Sequence, residues 1–402
     1  MSATAPGHAM AIPRVGGTAV PDVQQLAGAL RITPGAPPPL GLKSSRQDWA
    51  ARMGHGVPVA RLPGLMGSLF NLCSHAHRLC SQLAIDAAAP GLQPPAERVA
   101  EQLRRETAME HVRRIGLDWP RLLADTPAAR SAHAASALAT LRHWTPPTPA
   151  APEPWPALQD WLQHALLQMP AADWLAAWQA DGPDWLHTWS RRHAAHWLPA
   201  LVAGARSSAD GFAPLSPEHA LRPHAEPVGL QALGTALALQ PPFALRPQWQ
   251  GACAHTGPWT RLAAAADDTP LSPWALLGSR LAELARLALD GGDTWLHWGA
   301  LATGPNRGLA WVEMARGLLV HQVELDPVAQ RVLACRVVAP TEWNFHPEGA
   351  VAQRLARLDP GLPEAALARR VNLLVAAFDP CVPFTIERLA APRTQAQENG
   401  HA

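Results

Sequence analysis

The chain has no tyrosine, five cysteines in 402 residues and a formal net charge of only +1. Its cysteines stand at 73, 80, 253, 335 and 381, an odd and sparse set that does not read as a disulfide framework. Lysine plus arginine number 33 against 32 acidic residues, without basic runs, so nucleic acid is not expected as a partner. No stretch approaches the roughly eighteen consecutive apolar residues of a membrane span, so no membrane insertion is expected. Met1 to Gly28 shows neither a basic start with an apolar core nor a twin-arginine pair, and a cytoplasmic location is the expectation. The missing tyrosine goes with abundant alanine, 42 prolines and basic residues that are mostly arginine, which reads as coding bias rather than function.

What is present is enough sequence for a large core. Residues 1–45, rich in Pro, Gly and Ala with Pro37-Pro38-Pro39 near the end, read as a poorly ordered segment, with a short strand around Ala27 to Ile32. Residues 390–402 read as a flexible tail, which leaves 46–389 as one domain. Within it, a Trp/Pro-rich middle region spans about 120–300, and Thr145 to Pro156 is a linker or extended arm. Trp161, Trp174, Trp178, Trp185, Trp189 and Trp197 mark short helices broken at Pro170 and Pro183. Tryptophan at helical spacing reads first as core, with a protein-docking surface as the alternative.

Leu65, Leu69, Leu72, Ala76, Leu79, Leu83 and Ala87 recur every three or four residues between Pro63 and Pro90, which predicts a mostly buried helix. Cys73, His77 and Cys80 project from one face of it. Thiolate and imidazole together suit iron or zinc, while buried cysteine as a small apolar residue is the plainer reading. Ala96 to Gly116 predicts a long helix closed by Gly116, on which Glu106, Glu110 and His111 read as a solvated face. Cys253-Ala254-His255 in a Gly/Pro-rich loop is a weak metal signal. Ser272 to Leu289 predicts another helix. Gly308 to Met314, Gly317 to Leu325 and Arg331 to Val338 read as strands, with Arg316 in the first turn and a hairpin across Asp326-Pro327. Pro363 to Phe378 is a helix that Asp379-Pro380 stops, leaving Cys381 just beyond its end.

Three stretches carry a resemblance. Glu313 to Gly317, Pro340-Thr341-Glu342-Trp343-Asn344 and Asp379-Pro380-Cys381 resemble the end of a nickel-iron hydrogenase large subunit, whose motifs are Glu-x-x-Arg-Gly, Pro-Thr-x-Trp-Asn and Asp-Pro-Cys-x-x-Cys. Ser68 to His77 resembles that family's Arg-x-Cys-x-x-Cys-x-x-x-His. Each cysteine pair has lost one member, with Phe70 and Phe384 standing in their places. That pattern is similar to HupK/HoxV-type maturation factors, and it covers roughly residues 60–120 and 305–385. The Arg-x-Glu-Gly-His-like strand that serves proton traffic in the enzymes has no counterpart here.

The resemblance implies an α+β, mainly helical fold with a small C-terminal antiparallel sheet, like that of hydrogenase large subunits. It also implies a non-enzymatic maturation scaffold that transiently holds an Fe(CN)2CO fragment, with the hydrogenase large-subunit precursor and hydrogenase assembly proteins as partners. A docking chaperone without metal is the alternative, and a catalytic subunit the remote one. Cys73 and Cys381 are the implied metal ligands, with Cys80 as a further candidate. Arg316 and Thr341 are implied to face the cyanides, Asp379 to hold Arg316, and His77 to support the Cys73 sulfur. Nickel, which the enzymes hold with four thiolates, is not expected.

Overall fold

A computed structural model describes residues 28–89, 96–146, 154–222, 227–262 and 271–389. The elements that position the site, in chain order, are strands β1 (Leu30–Ile32) and β2 (Leu42–Ser44), helices α1 (Leu62–Leu69), α2 (Ser74–Ala88) and α3 (Ala96–Arg113). The middle of the chain follows with α4 (Ala171–Asp181), α5 (Pro183–Arg192), α6 (Trp197–Ala205) and α7 (Pro273–Ala288). Then come β3 (Trp298–Gly304), β4 (Arg307–Met314), β5 (Gly317–Leu325), β6 (Val332–Val338), α8 (Pro340–Asn344), α9 (Glu364–Phe378) and β7 (Phe384–Ile386). This is the expected class, a mainly helical α+β chain with a small antiparallel sheet, β3-β4-β5-β6, near its end.

That sheet is covered on both faces, which explains why β5 is buried almost throughout rather than alternating. Helix α2 packs on one face. On the other, Leu309, Leu318, Val320 and Val338 join Trp343 and the helix Pro227–Leu239 in a second apolar cluster. Strand β3 escaped the sequence reading because Trp298-Gly299-Ala300-Leu301-Ala302-Thr303-Gly304 is mostly small residues.

The expected helix from Leu65 to Ala87 is broken. Gly67 and Ser68 are weak helix formers, and the Ser68 hydroxyl donates back to Gly64 O at 3.0 Å. Phe70 leaves helical geometry (φ −114, ψ 57), and a short 3-10 turn, Asn71–Cys73, carries the chain into α2. The restart is capped from outside: Glu106 accepts from the amides of His75 and Ala76, both at 2.8 Å. Cys73 thereby becomes the N-cap residue of α2.

The contact of α2 with the sheet is backbone on backbone. A Cβ added at Gly308 would lie 2.0 Å from Ala84 O and 2.7 Å from Ala88 N. Gly308→Ala is therefore expected to push α2 off β4 and cost about 1 to 3 kcal/mol, the range for overpacked cores. Urea denaturation checks this, with a lower midpoint and an unchanged slope as the expected result.

Two expectations need correction. Residues 28–45 are not poorly ordered: β1 pairs antiparallel with β2 and parallel with β7, in the registers Leu30↔Ser44 and Leu30↔Phe384. The order comes from a partner near the other end of the chain, which local composition cannot show. Residues 1–27, the centre of the expected 145–156 linker and the 390–402 tail lie outside the described residues. Helix α3 does not close at Gly116 but runs into a π-helical turn, Arg114–Asp118.

The middle-region tryptophans lie in the core, as Trp161, Trp174, Trp178 and Trp189 do, or pack half-buried against it, as Trp185 and Trp197 do. Trp174 stacks on Trp178 with centroids 5.9 Å apart and meets Trp189 edge-on at 5.7 Å, and Trp119, Trp174 and Trp189 are fully buried. Pro170 and Pro183 fall at the starts of α4 and α5. Among the described residues no helix is long and apolar enough to cross a membrane.

Candidate functional site

Arg316 occupies the two-residue turn between β4 and β5, where Met314 pairs with Gly317. Gly317 has φ 130, and a Cβ there would meet Thr256 at 2.5 Å, so only glycine lets β5 start in this place. The turn aims a buried guanidinium at the N-terminus of α2. Its Nη1 donates to Cys73 Sγ at 2.9 Å, its Nη2 forms a short ion pair with Glu110, and its Nε lies 3.5 Å from Asp379 Oδ2 without a hydrogen bond.

Asp379 follows α9 in the left-handed region (φ 52, ψ 69), a conformation that aspartate tolerates better than most residues. It is buried between three arginines. Arg114 forms a short ion pair with it and Arg280 Nη2 lies 3.4 Å from Oδ2, while Arg114 also donates to Pro380 O at 3.2 Å. The bend that presents Cys381 is thus held by charge from α7 and the π-turn.

Cys381 receives donors of its own. Thr341, at the start of α8, donates its hydroxyl to Cys381 Sγ at 3.2 Å and accepts from the Cys381 amide at 3.1 Å. Arg46 Nη1 donates to the same sulfur at 3.1 Å, while its Nε pairs with buried Glu342 at 2.5 Å. Cys73 and Cys381, more than three hundred residues apart in sequence, line one cavity of about 360 Å³ together with Arg46, Phe70, His77, Arg316 and Thr341. On its other side Cys381 borders a second cavity of about 520 Å³, lined by Arg113, Arg114, Arg121 and Arg130.

Burial pushes the Cys73 thiol up to about 12, against the pull of Arg316. Burial works against charge on Arg316 as well, but Cys73 and Glu110 outweigh it and keep the guanidinium charged. For Glu110, burial is overcome by hydrogen bonds from Arg113 and the charge of Arg316, and its carboxyl sits at about 2. Burial, with His321, Arg46 and Arg316 nearby, holds His77 neutral.

Some expected roles fall elsewhere. His77 does not support Cys73: its Nδ1 meets His321 Nε2 at 3.0 Å, and its ring stacks on Phe70 with centroids 4.0 Å apart. Cys80 does not face the cavity, because one helical turn on from His77 the face has passed under the sheet, where the thiol points at Ala310 O at 3.4 Å. Arg316 and Thr341 donate to the two sulfurs themselves. Glu106, Glu110 and His111 are not a solvated face: half-buried Glu106 caps α2, while buried Glu110 and His111 pair with Arg316 and Glu283. Phe384 lies in β7 opposite Leu30, so the sheet closes over that position.

Arg46, Glu110, Arg114, Arg280 and Glu342 were missed as site residues. One signal was available: acidic residues spaced to share a face with an apolar stripe, as Glu106 and Glu110 do with Leu103, indicate buried charge as readily as solvated charge.

No protein-family model matches the chain. The hydrogenase expression/formation protein HoxV of Cupriavidus necator is 39% identical over 378 residues, 90% of this chain and 96% of that protein. HupK of Bradyrhizobium diazoefficiens is 32% identical, covering 87% of this chain and 91% of HupK, and HupK of Rhizobium leguminosarum bv. viciae is 31% identical over 86% and 92%. Among solved structures, an NAD+-reducing [NiFe]-hydrogenase in the H2-reduced state aligns with a TM-score of 0.48 and 16% identity over 85% of this chain and 91% of that chain. A [NiFeSe]-hydrogenase of Dm. baculatum aligns at 0.46 and 14% identity over 84% and 92%.

Proposed function

The chain belongs to the hydrogenase expression/formation proteins that include HoxV and HupK, and from that membership we propose that it is a non-enzymatic scaffold of nickel-iron hydrogenase maturation. In this reading it binds the Fe(CN)2CO fragment as cargo through Cys73 and Cys381 and passes it to the hydrogenase large-subunit precursor with the help of assembly proteins. Its location in this reading is the cytoplasm.

The observation that carries the proposal is the meeting of two sulfurs and two guanidiniums at one cavity. An iron with three diatomic ligands needs only about two further donors, and soft thiolates suit it. Thiolates and cyanides are both negative, and Arg316 and Arg46 supply fixed, planar positive charge beside them. Arg316 Nε lies 3.5 Å from Asp379 Oδ2, so that carboxylate orients the guanidinium whose Nη1 reaches the Cys73 sulfur. Thr341 adds a hydroxyl that a bound cargo could share with Cys381.

Loading requires the Cys73 thiol, raised to about 12, to give up its proton, so binding is coupled to proton release and reprotonation favours discharge. Phe70 and Phe384 bring carbon to the places of two thiolates, so nickel is not part of the reading.

Infrared spectroscopy tests the proposal. Protein purified anaerobically from a host that makes the iron-cyanide precursor is expected to show cyanide and carbonyl stretching bands in proportion to its iron. Folded, partner-competent protein without those bands would sink the scaffold reading and leave docking.

A further inference from the structure

A second cluster of metal-ligating side chains lies away from the cavity that Cys73 and Cys381 share. Cys253, His346 and Glu348 bring a sulfur, an imidazole nitrogen and a carboxylate oxygen within 4.8 Å of one another. The Cys253 thiol lies 3.2 Å from His346 Nδ1. His346 is buried, Cys253 half-buried and Glu348 exposed. We propose that these three residues form a binding site for a divalent ion of the zinc type, separate from the iron cargo.

The donor set is the first argument. One thiolate, one imidazole and one carboxylate is a borderline combination that suits zinc and its first-row neighbours, not calcium or magnesium, which want all-oxygen shells. Spacing is the second. Zinc bonds of about 2.3 Å to sulfur and about 2.0 Å to nitrogen at a tetrahedral angle put the two donors roughly 3.5 Å apart, close to the 3.2 Å found. The Glu348 amide also approaches His346 Nδ1, at 3.2 Å, and an ion would take that lone pair from it. Because the Glu348 side chain is exposed, it can swing inward at little cost.

The place in the fold suggests the consequence. His346 follows α8, whose Asn344 already grips the Cys253 loop, accepting from Thr256 N at 2.9 Å and donating to Thr256 O at 2.8 Å. An ion on Cys253 and His346 would fasten the same joint covalently in effect, and α8 is the helix that carries Thr341 and Glu342. The ion is therefore a strap that fixes the helix behind Cys381, not a reactant.

The test uses full-length protein carrying Cys73→Ser and Cys381→Ser, stripped with a chelator and titrated anaerobically with Co2+ as the probe. One equivalent is expected to bind with a thiolate-to-cobalt charge-transfer absorption that zinc displaces and Cys253→Ser abolishes. Glu348→Gln should weaken binding roughly ten-fold or more, since losing even an outer-shell partner costs that much. Circular dichroism establishes that each protein is folded. Should the double variant not fold, the unsubstituted chain is compared with its Cys253→Ser variant. Absence of the absorption in folded protein, its survival in Cys253→Ser, or an unchanged affinity in Glu348→Gln would each overturn the proposal.

Discussion

Cys73→Ser and Cys381→Ser are each expected to abolish the cyanide and carbonyl bands and the iron that goes with them. Serine supplies no soft thiolate, and with Cys73 and Cys381 as the two thiols lining the cavity the loss of either leaves the iron a single protein thiolate. The fold should survive. Serine keeps an oxygen that can accept from Arg316 at 73, and from Arg46 and Thr341 at 381, so no buried donor is orphaned. Cys335→Ser is the control, since that thiol is buried against Met66, away from the cavity. Its iron content should match the parent protein once folded fractions are equalised. Equal iron in the parent and in both cavity variants would end the scaffold reading.

Arg316→Lys carries the second largest effect. The guanidinium spans three groups, Cys73, Glu110 and Asp379, in three directions, which one ammonium cannot do. A hydrogen bond to a charged group contributes about 1.5 to 3 kcal/mol, so cargo occupancy per folded protein should fall about ten-fold or more. Some stability is lost too, because Glu110 and Asp379 are buried and only partly compensated by Arg113, Arg114 and Arg280. Glu110→Gln separates the two losses. It disturbs the same buried network while leaving the Arg316 contact to Cys73, so it should lower stability more than occupancy. Paired measurement of infrared intensity and of co-purification with the large-subunit precursor decides the matter. If occupancy held in Arg316→Lys while co-purification collapsed, Arg316 would belong to an interface, although at 1% exposure it offers almost no surface to a partner.

Much of the frame was readable in sequence because it rests on local signals. The strands after Gly304, the Asp326 hairpin and the α9 helix stopped at Asp379-Pro380 all announce themselves by periodicity and turn residues. The short motifs brought Cys73, Arg316, Thr341, Asp379 and Cys381 onto the page, and the structure gathers all five within one cavity and its wall. Residues whose roles depend on distant partners were not readable. Glu110 sits in a helix dense in Glu and Arg that looks solvated, and only the turn after β4 turns it into a buried counter-ion. Arg46 lies just past a stretch whose prolines and glycines suggest disorder, and it reaches Cys381 because two strands from opposite parts of the chain lie side by side. The break at Phe70 was hidden for the opposite reason. Its apolar spacing is helical on both sides, and a periodicity count runs straight through it.

The parallel pairing of β1 with β7 also fixes when the site can exist. A ribosome delivers Arg46 and Cys73 early, Arg316 much later and Cys381 last, and β1 has no parallel neighbour until Phe384–Ile386 has emerged. Contacts of such long sequence separation form late in folding. A chain interrupted between Gly317 and Pro380 therefore carries Cys73 with Arg316 but lacks Cys381. For the proposed scaffold role, that order of assembly is a safeguard against loading iron onto an unfinished polypeptide.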